Sequence, residues 1–139
     1  KWIANETNTV KSSRDTLKNN SDYIQTLEVM NTNVMADLDK VTNHDTETIR
    51  ELLESFLTDA YELQAECLNS YLQNDYSGLH KSIHTLKGLS GTIGASQVYE
   101  VSKVINHMVK TSQAENLEKM IRELTIYLNL FAEYLDKFK

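Results

Sequence analysis

An all-α fold, an antiparallel up-down four-helix bundle with an additional short N-terminal helix, follows from three observations. The 139-residue chain contains no proline, so nothing in its composition forces a break in long helical stretches. Apolar residues recur at spacings of three and four in successive segments, the signature of helices with one buried face. Short connections separate those segments, which favours antiparallel neighbours. A chain of this length supports one domain with a modest core.

Residues 1–30 are rich in Asn, Thr, Ser and Lys, with scattered Trp2, Ile3, Tyr23 and Ile24. They read as a polar linker or N-terminal extension, with room for a short helix docked on the domain formed by residues 31–139. Asn31 or Thr32 is placed to cap a short helix through Val34, Met35 and Leu38. A second start signal lies at Asn43 to Asp45. The following stripe runs through Ile49, Leu52, Leu53, Phe56, Ala60, Leu63, Cys67, Leu68, Tyr71 and Leu72, with a bend expected near Thr58 to Tyr61. Asn74 to Gly78 forms the first clear turn. The next helix ends at Gly94 in a left-handed cap, and Ser96 is placed to cap its successor, which buries Val98, Val101, Ile105 and Met108. Ser112 to Glu115 has the form of a capping box, and Leu117, Ile121, Leu124, Leu128, Phe131, Leu135 and Phe138 follow as the stripe of the last helix.

The helix around His84 carries three of the four glycines, Gly88, Gly91 and Gly94. Glycine costs about 1 kcal/mol against alanine inside a helix, so empty space is needed there. On a helical wheel Ser77, His80, Lys81, Lys87, Gly88 and Gly91 share the face of His84. Leu79, Ile83, Leu86, Leu89 and Ile93 occupy the opposite side. His84 is thus expected on an outward, basic face with small neighbours, which suits a nucleophile that a partner must reach.

His84-Thr85-Leu86-Lys87-Gly88, five further residues and then Gly94-Ala95 closely resemble the signature of histidine-containing phosphotransfer (HPt) domains. The resemblance covers about residues 31–139. It implies that His84 accepts a phosphoryl group from a receiver-domain aspartate and passes it to a response-regulator aspartate. It also implies that the receiver brings Mg²⁺, with no cofactor bound by this chain. A histidine in this role needs a neutral ring nitrogen, and a cation one turn away favours that form. Lys87 supplies the cation and can offset the phosphoryl charge, while Gly88 and Gly91 let a partner approach, with His80 and Lys81 on the same docking face. The position that often orients the ring in the family matches Asn106, where glutamine is common; asparagine is one methylene shorter. Lys103 and Lys110 either extend a positive rim or are solvated surface lysines, and His44 and His107 read as ordinary polar positions.

A net charge of −6 argues against nucleic acid, whose phosphates select a basic footprint. No apolar run approaches the ~20 residues that span a bilayer, and no signal peptide is visible, so a cytoplasmic setting without direct membrane contact is expected. The lone Cys67 falls on an apolar stripe and is expected to be buried and inert. An opening lysine suggests a piece of a longer protein, resembling the C-terminal HPt domain of a bacterial hybrid sensor kinase; a free-standing HPt protein is the alternative. A kinase dimerisation domain is disfavoured, because Thr85 stands where that family usually has an acidic residue and no proline follows. A monomer without ATP-dependent kinase activity of its own is expected. Two other readings are a non-catalytic helical adaptor and a metal-binding bundle using His80 and His84, spaced i, i+4.

Overall fold

The computed structural model describes residues 22–138. The positions of Trp2 and Ile3, and most of the expected linker, lie outside them. A helical turn over residues 22–25 precedes five helices, α1 (Thr32–Val41), α2 (Thr46–Leu72), α3 (Tyr76–Ile93), α4 (Ser96–Lys110) and α5 (Leu117–Lys137). Helix α2 has 27 residues, about 40 Å, and runs uninterrupted through Thr58 to Tyr61. Around the bundle α2 packs on α3 and α5, and α4 packs on the same two. Helices joined by so few residues can lie side by side only by reversing direction, so the four-helix bundle is antiparallel.

Local chemistry explains the chain reversals. Asn31, Asp45 and Asp75 each cap a helix, accepting from the backbone N–H of Val34, Thr48 and Gly78. The hydrogen bonds from Thr48 hold the Asp45 carboxyl below its usual range. At the C-terminal ends, Asn43, Asn74, Gly94 and Ser112 adopt positive φ. After Asn74, the N–H of Asp75 reaches back to the Ser70 carbonyl at 2.8 Å, a Schellman closure. Asp75 therefore ends α2 and starts α3 at once.

Two expected caps are not formed. Ser112 has φ 59°, and Gln113 N–H bonds the Met108 carbonyl at 2.9 Å. Ser112 is thus spent on closing α4, and α5 begins after Asn116 without a side-chain cap. Likewise Ala95, buried in the tight link after Gly94, takes the cap position of α4, leaving Ser96 as its first helical residue.

The core contains Leu53, Phe56 and Ala60 of α2, Leu79, Ile83 and Leu86 of α3, Val101 and Ile105 of α4, and Ile121, Leu124 and Phe131 of α5. Phe56 and Phe131 meet edge to face with ring centroids 5.2 Å apart. Three leucines of the expected stripes escape this core: Leu52, Leu72 and Leu89 are 43%, 58% and 39% exposed. Leu72 lies in the last turn of α2, and Leu89 lines the groove described below. Cys67 is fully buried, and burial, reinforced by the Glu66 charge, pushes its thiol up to about 12. The thiolate needed for reaction is therefore scarce at neutral pH.

The packed part of the chain begins before residue 31. Ile24 and Met30 are buried, and Gln97 donates from Nε2 to the carbonyls of Ile24 and Leu27, both at 3.3 Å. The Gly94 carbonyl accepts from Asn31 N–H at 2.7 Å. A Cβ on Gly94 would stand 2.7 Å from Val34 Cβ, so glycine serves both its backbone conformation and the docking of α1.

Candidate functional site

His84 lies mid-way along α3 and is exposed, while Ile83 and Leu86 beside it are fully buried. The ring of His80, one turn earlier and half-buried, stacks on that of His84 with centroids 6.0 Å apart and planes inclined by 14°. Lys81 is exposed and Lys87 half-buried. A Cβ built on Gly88 would meet nothing within 4 Å, so the space beside the histidine is open. Gly91 is different. Although it is exposed, a Cβ there would stand 3.1 Å from Tyr99 Cδ1, so this glycine also permits close packing of α3 on α4.

The Gly91–Tyr99 contact sets the register of these antiparallel helices. Seven residues back along α3 and seven forward along α4, His84 and Asn106 come level. Asn106 is buried, and its Oδ1 has no hydrogen-bond partner; the same holds for Ser102 Oγ, one turn away. No hydrogen bond among the described residues joins Asn106 to His84. Lys103 is tied down rather than free, with Nζ 3.0 Å from Glu100 Oε1 and 5.7 Å from the Tyr99 ring centroid. The bond to Glu100 raises its pKa. Lys110 and His107 are exposed, and His44 pairs with Asp39, five residues before it, at 2.6 Å.

Beside His84 a groove opens between α2 and α3, lined by Ser55, Phe56, Asp59, Thr85, Gly88 and Leu89, and extending to Thr92 and Ile93. Leu52 lies one turn from Ser55 and Phe56 on the same stripe of α2. Among the described residues no group of three or more His, Cys, Asp or Glu side chains is gathered to hold a metal ion. Among those residues the His80–His84 pair has none of the further ligands that a zinc site takes.

An exposed histidine beside an open glycine, on one helix of a four-helix bundle, matches the expectation from the sequence motif. Residues 51–136 match the family model described as Hpt domain. The chain belongs to the Hpt domain family. Phosphorelay intermediate protein rdeA of Dictyostelium discoideum is 33% identical over 89 residues, covering 64% of this chain and 35% of that protein. The chain thus spans little more than a third of that relative's length. In fold, it resembles the crystal structure of histidine-containing phosphotransfer protein B (HptB) from Pseudomonas aeruginosa PAO1. The TM-score is 0.67 at 20% identity, with 82% of this chain and 100% of that chain covered.

Within this Hpt domain the structure adds residues that the motif did not indicate. Ser55 and Asp59 come from α2, and Leu89 and Thr92 join the motif's Thr85 to complete the groove from α3. The sequence held a partial signal for them. Ser55 and Asp59, four residues apart, form a polar stripe that adjoins the apolar one containing Leu52 and Phe56. Which helix that stripe borders depends on bundle register.

Proposed function

We propose that this Hpt domain is a phosphorelay intermediate in which His84 carries the phosphoryl group between receiver-domain aspartates. The observation that carries the reading is the exposed His84 beside Gly88, whose missing side chain leaves open space. In the forward step a lone pair on an imidazole nitrogen attacks phosphorus. The P–O bond to the donor aspartate breaks, and the carboxylate leaves with the bonding pair. The other ring nitrogen keeps its proton. Transfer to the next aspartate is the same exchange in reverse. The transition state is loose and in-line, so positioning and charge do most of the catalysis. Lys87 supplies positive charge one helical turn away, and Asn106, level with His84 and with Oδ1 unpaired, is suited to orient the ring. Mg²⁺ and the reacting aspartate are contributed by the receiver. The domain acts as a monomer, because its reactive face must stay free for successive partners.

Incubation with a phosphorylated receiver should give one phosphate per chain that is labile in acid and stable in base, as a phosphoramidate is. ATP and Mg²⁺ alone should give none. Labelling by ATP alone would overturn the assignment to a relay intermediate and point to a kinase.

A further inference from the structure

The geometry points to Asp59 as a specificity-determining residue: it selects receivers that place a lysine or arginine beside their phosphoacceptor aspartate. The inference deepens the phosphorelay reading and rests on it. Asp59 lies in the wall of the groove that contains His84, on α2 rather than on the helix of the motif. Many carboxylates of this chain are engaged: Glu54 with Arg50, Glu118 with Arg122, Glu100 with Lys103, Glu66 with Ser82, and Asp45 and Asp75 in caps. Asp59 is exposed and has no hydrogen bond or ion pair among the described residues.

The register shows what lies across from it. Ser82 Oγ donates to Glu66 Oε1 at 3.2 Å, which fixes how α3 runs back along α2. Seven residues back along α2 and seven onward along α3, Asp59 comes opposite Leu89. Leu89 belongs by the helical wheel to the core side of α3, yet it is 39% exposed and lines the same groove, as does Phe56. An apolar floor next to an unpaired carboxylate fits a long basic side chain. Its methylene stem lies on Leu89 and Phe56 while its cationic head meets Asp59. On the flank of His84 away from α2 the charge is positive, from the half-buried Lys87, while Lys81 lies on the α2 side toward the start of α3. The site is therefore bipolar. A receiver with an acidic reaction centre and an adjacent basic residue matches both ends in one orientation only. Charges at the edge of an interface act mainly on association rate and on rejection of wrong partners.

The test uses two kinds of purified receiver, with Lys or Arg and with Asp or Glu on the surface next to the phosphoacceptor. Transfer rates from the phosphorylated chain are measured for the natural protein, Asp59→Asn and Asp59→Lys. Phosphoramidate, a small-molecule phosphodonor, labels His84 without a receiver and shows that the fold and the nucleophile are intact. Asp59→Lys should lower the second-order rate to basic receivers by about 10-fold and raise it to acidic ones, reversing the preference. Asp59→Asn should remove the preference, and with it much of the salt dependence. The rate within the bound complex and phosphoramidate labelling should stay unchanged. Equal rates for all three proteins with both receiver types would overturn the inference while leaving the relay intact. A natural protein that phosphoramidate labels but that transfers to no receiver would overturn the relay reading itself.

Discussion

His84→Gln should abolish phosphorylation by a phosphorylated receiver while leaving the bundle folded. Glutamine has no imidazole nitrogen to attack phosphorus, so the loss is complete rather than partial. The side chain replaced is exposed, and the fully buried neighbours Ile83 and Leu86 remain in place, so the core is untouched. Exposed substitutions of this kind change stability by about 0.5 kcal/mol or less. Phosphate incorporation and thermal melting on the same preparation make the check. Label that persists, or that appears on His80, would show that the stacked neighbour is the acceptor.

Gly88→Leu should have the next largest effect, and its effects on stability and transfer should diverge. A Cβ at Gly88 meets nothing within 4 Å, and leucine is the better helix former by about 0.8 kcal/mol. The melting temperature should hold or rise slightly. The new side chain nevertheless stands one turn from His84, where a receiver has to bring its aspartate into line. A displacement of about 1 Å at the reacting atoms costs about 10²-fold, so transfer should fall by at least that factor. Lys87→Ala should instead keep receiver binding while slowing transfer or shortening the life of the phosphohistidine. Normal transfer by Gly88→Leu would show that a receiver approaches from another side.

The different fates of the glycines show what the linear sequence could and could not convey. Gly94 was legible because a left-handed cap is a local property, and its φ is 84°. The face holding His84, Lys81 and Gly88 was legible because helical periodicity alone assigns it. Gly91 was not fully legible, because Tyr99 reaches it from the next helix. The same limit hid Asp59 and the groove: each of its walls is a regular helix surface, and only the register of α2 on α3 makes them face each other. Capping failed where two needs competed for one residue. Ser112 is a good start for one helix and was taken by the end of the previous one. How the segment before residue 31 docks was not legible, because two apolar residues, Ile24 and Met30, are too few to show a period, yet both are buried.

The tight reversals have a kinetic consequence. Residues in α3 meet partners in α2 and α4 that are near in sequence, while distant parts of the chain are brought together by the packing of α2 on α5 and by the segment before α1, which bonds to Gly94 and Gln97. Such mainly local topologies fold in microseconds to milliseconds. With no proline anywhere, no peptide bond has to isomerise on the scale of tens of seconds. Stopped-flow refolding should therefore show one fast exponential, and a phase of tens of seconds would contradict this topology. Asn74, Gly94 and Ser112 do more than end helices. By reversing the chain within two to six residues, they let the reactive face reassemble quickly whenever the bundle opens.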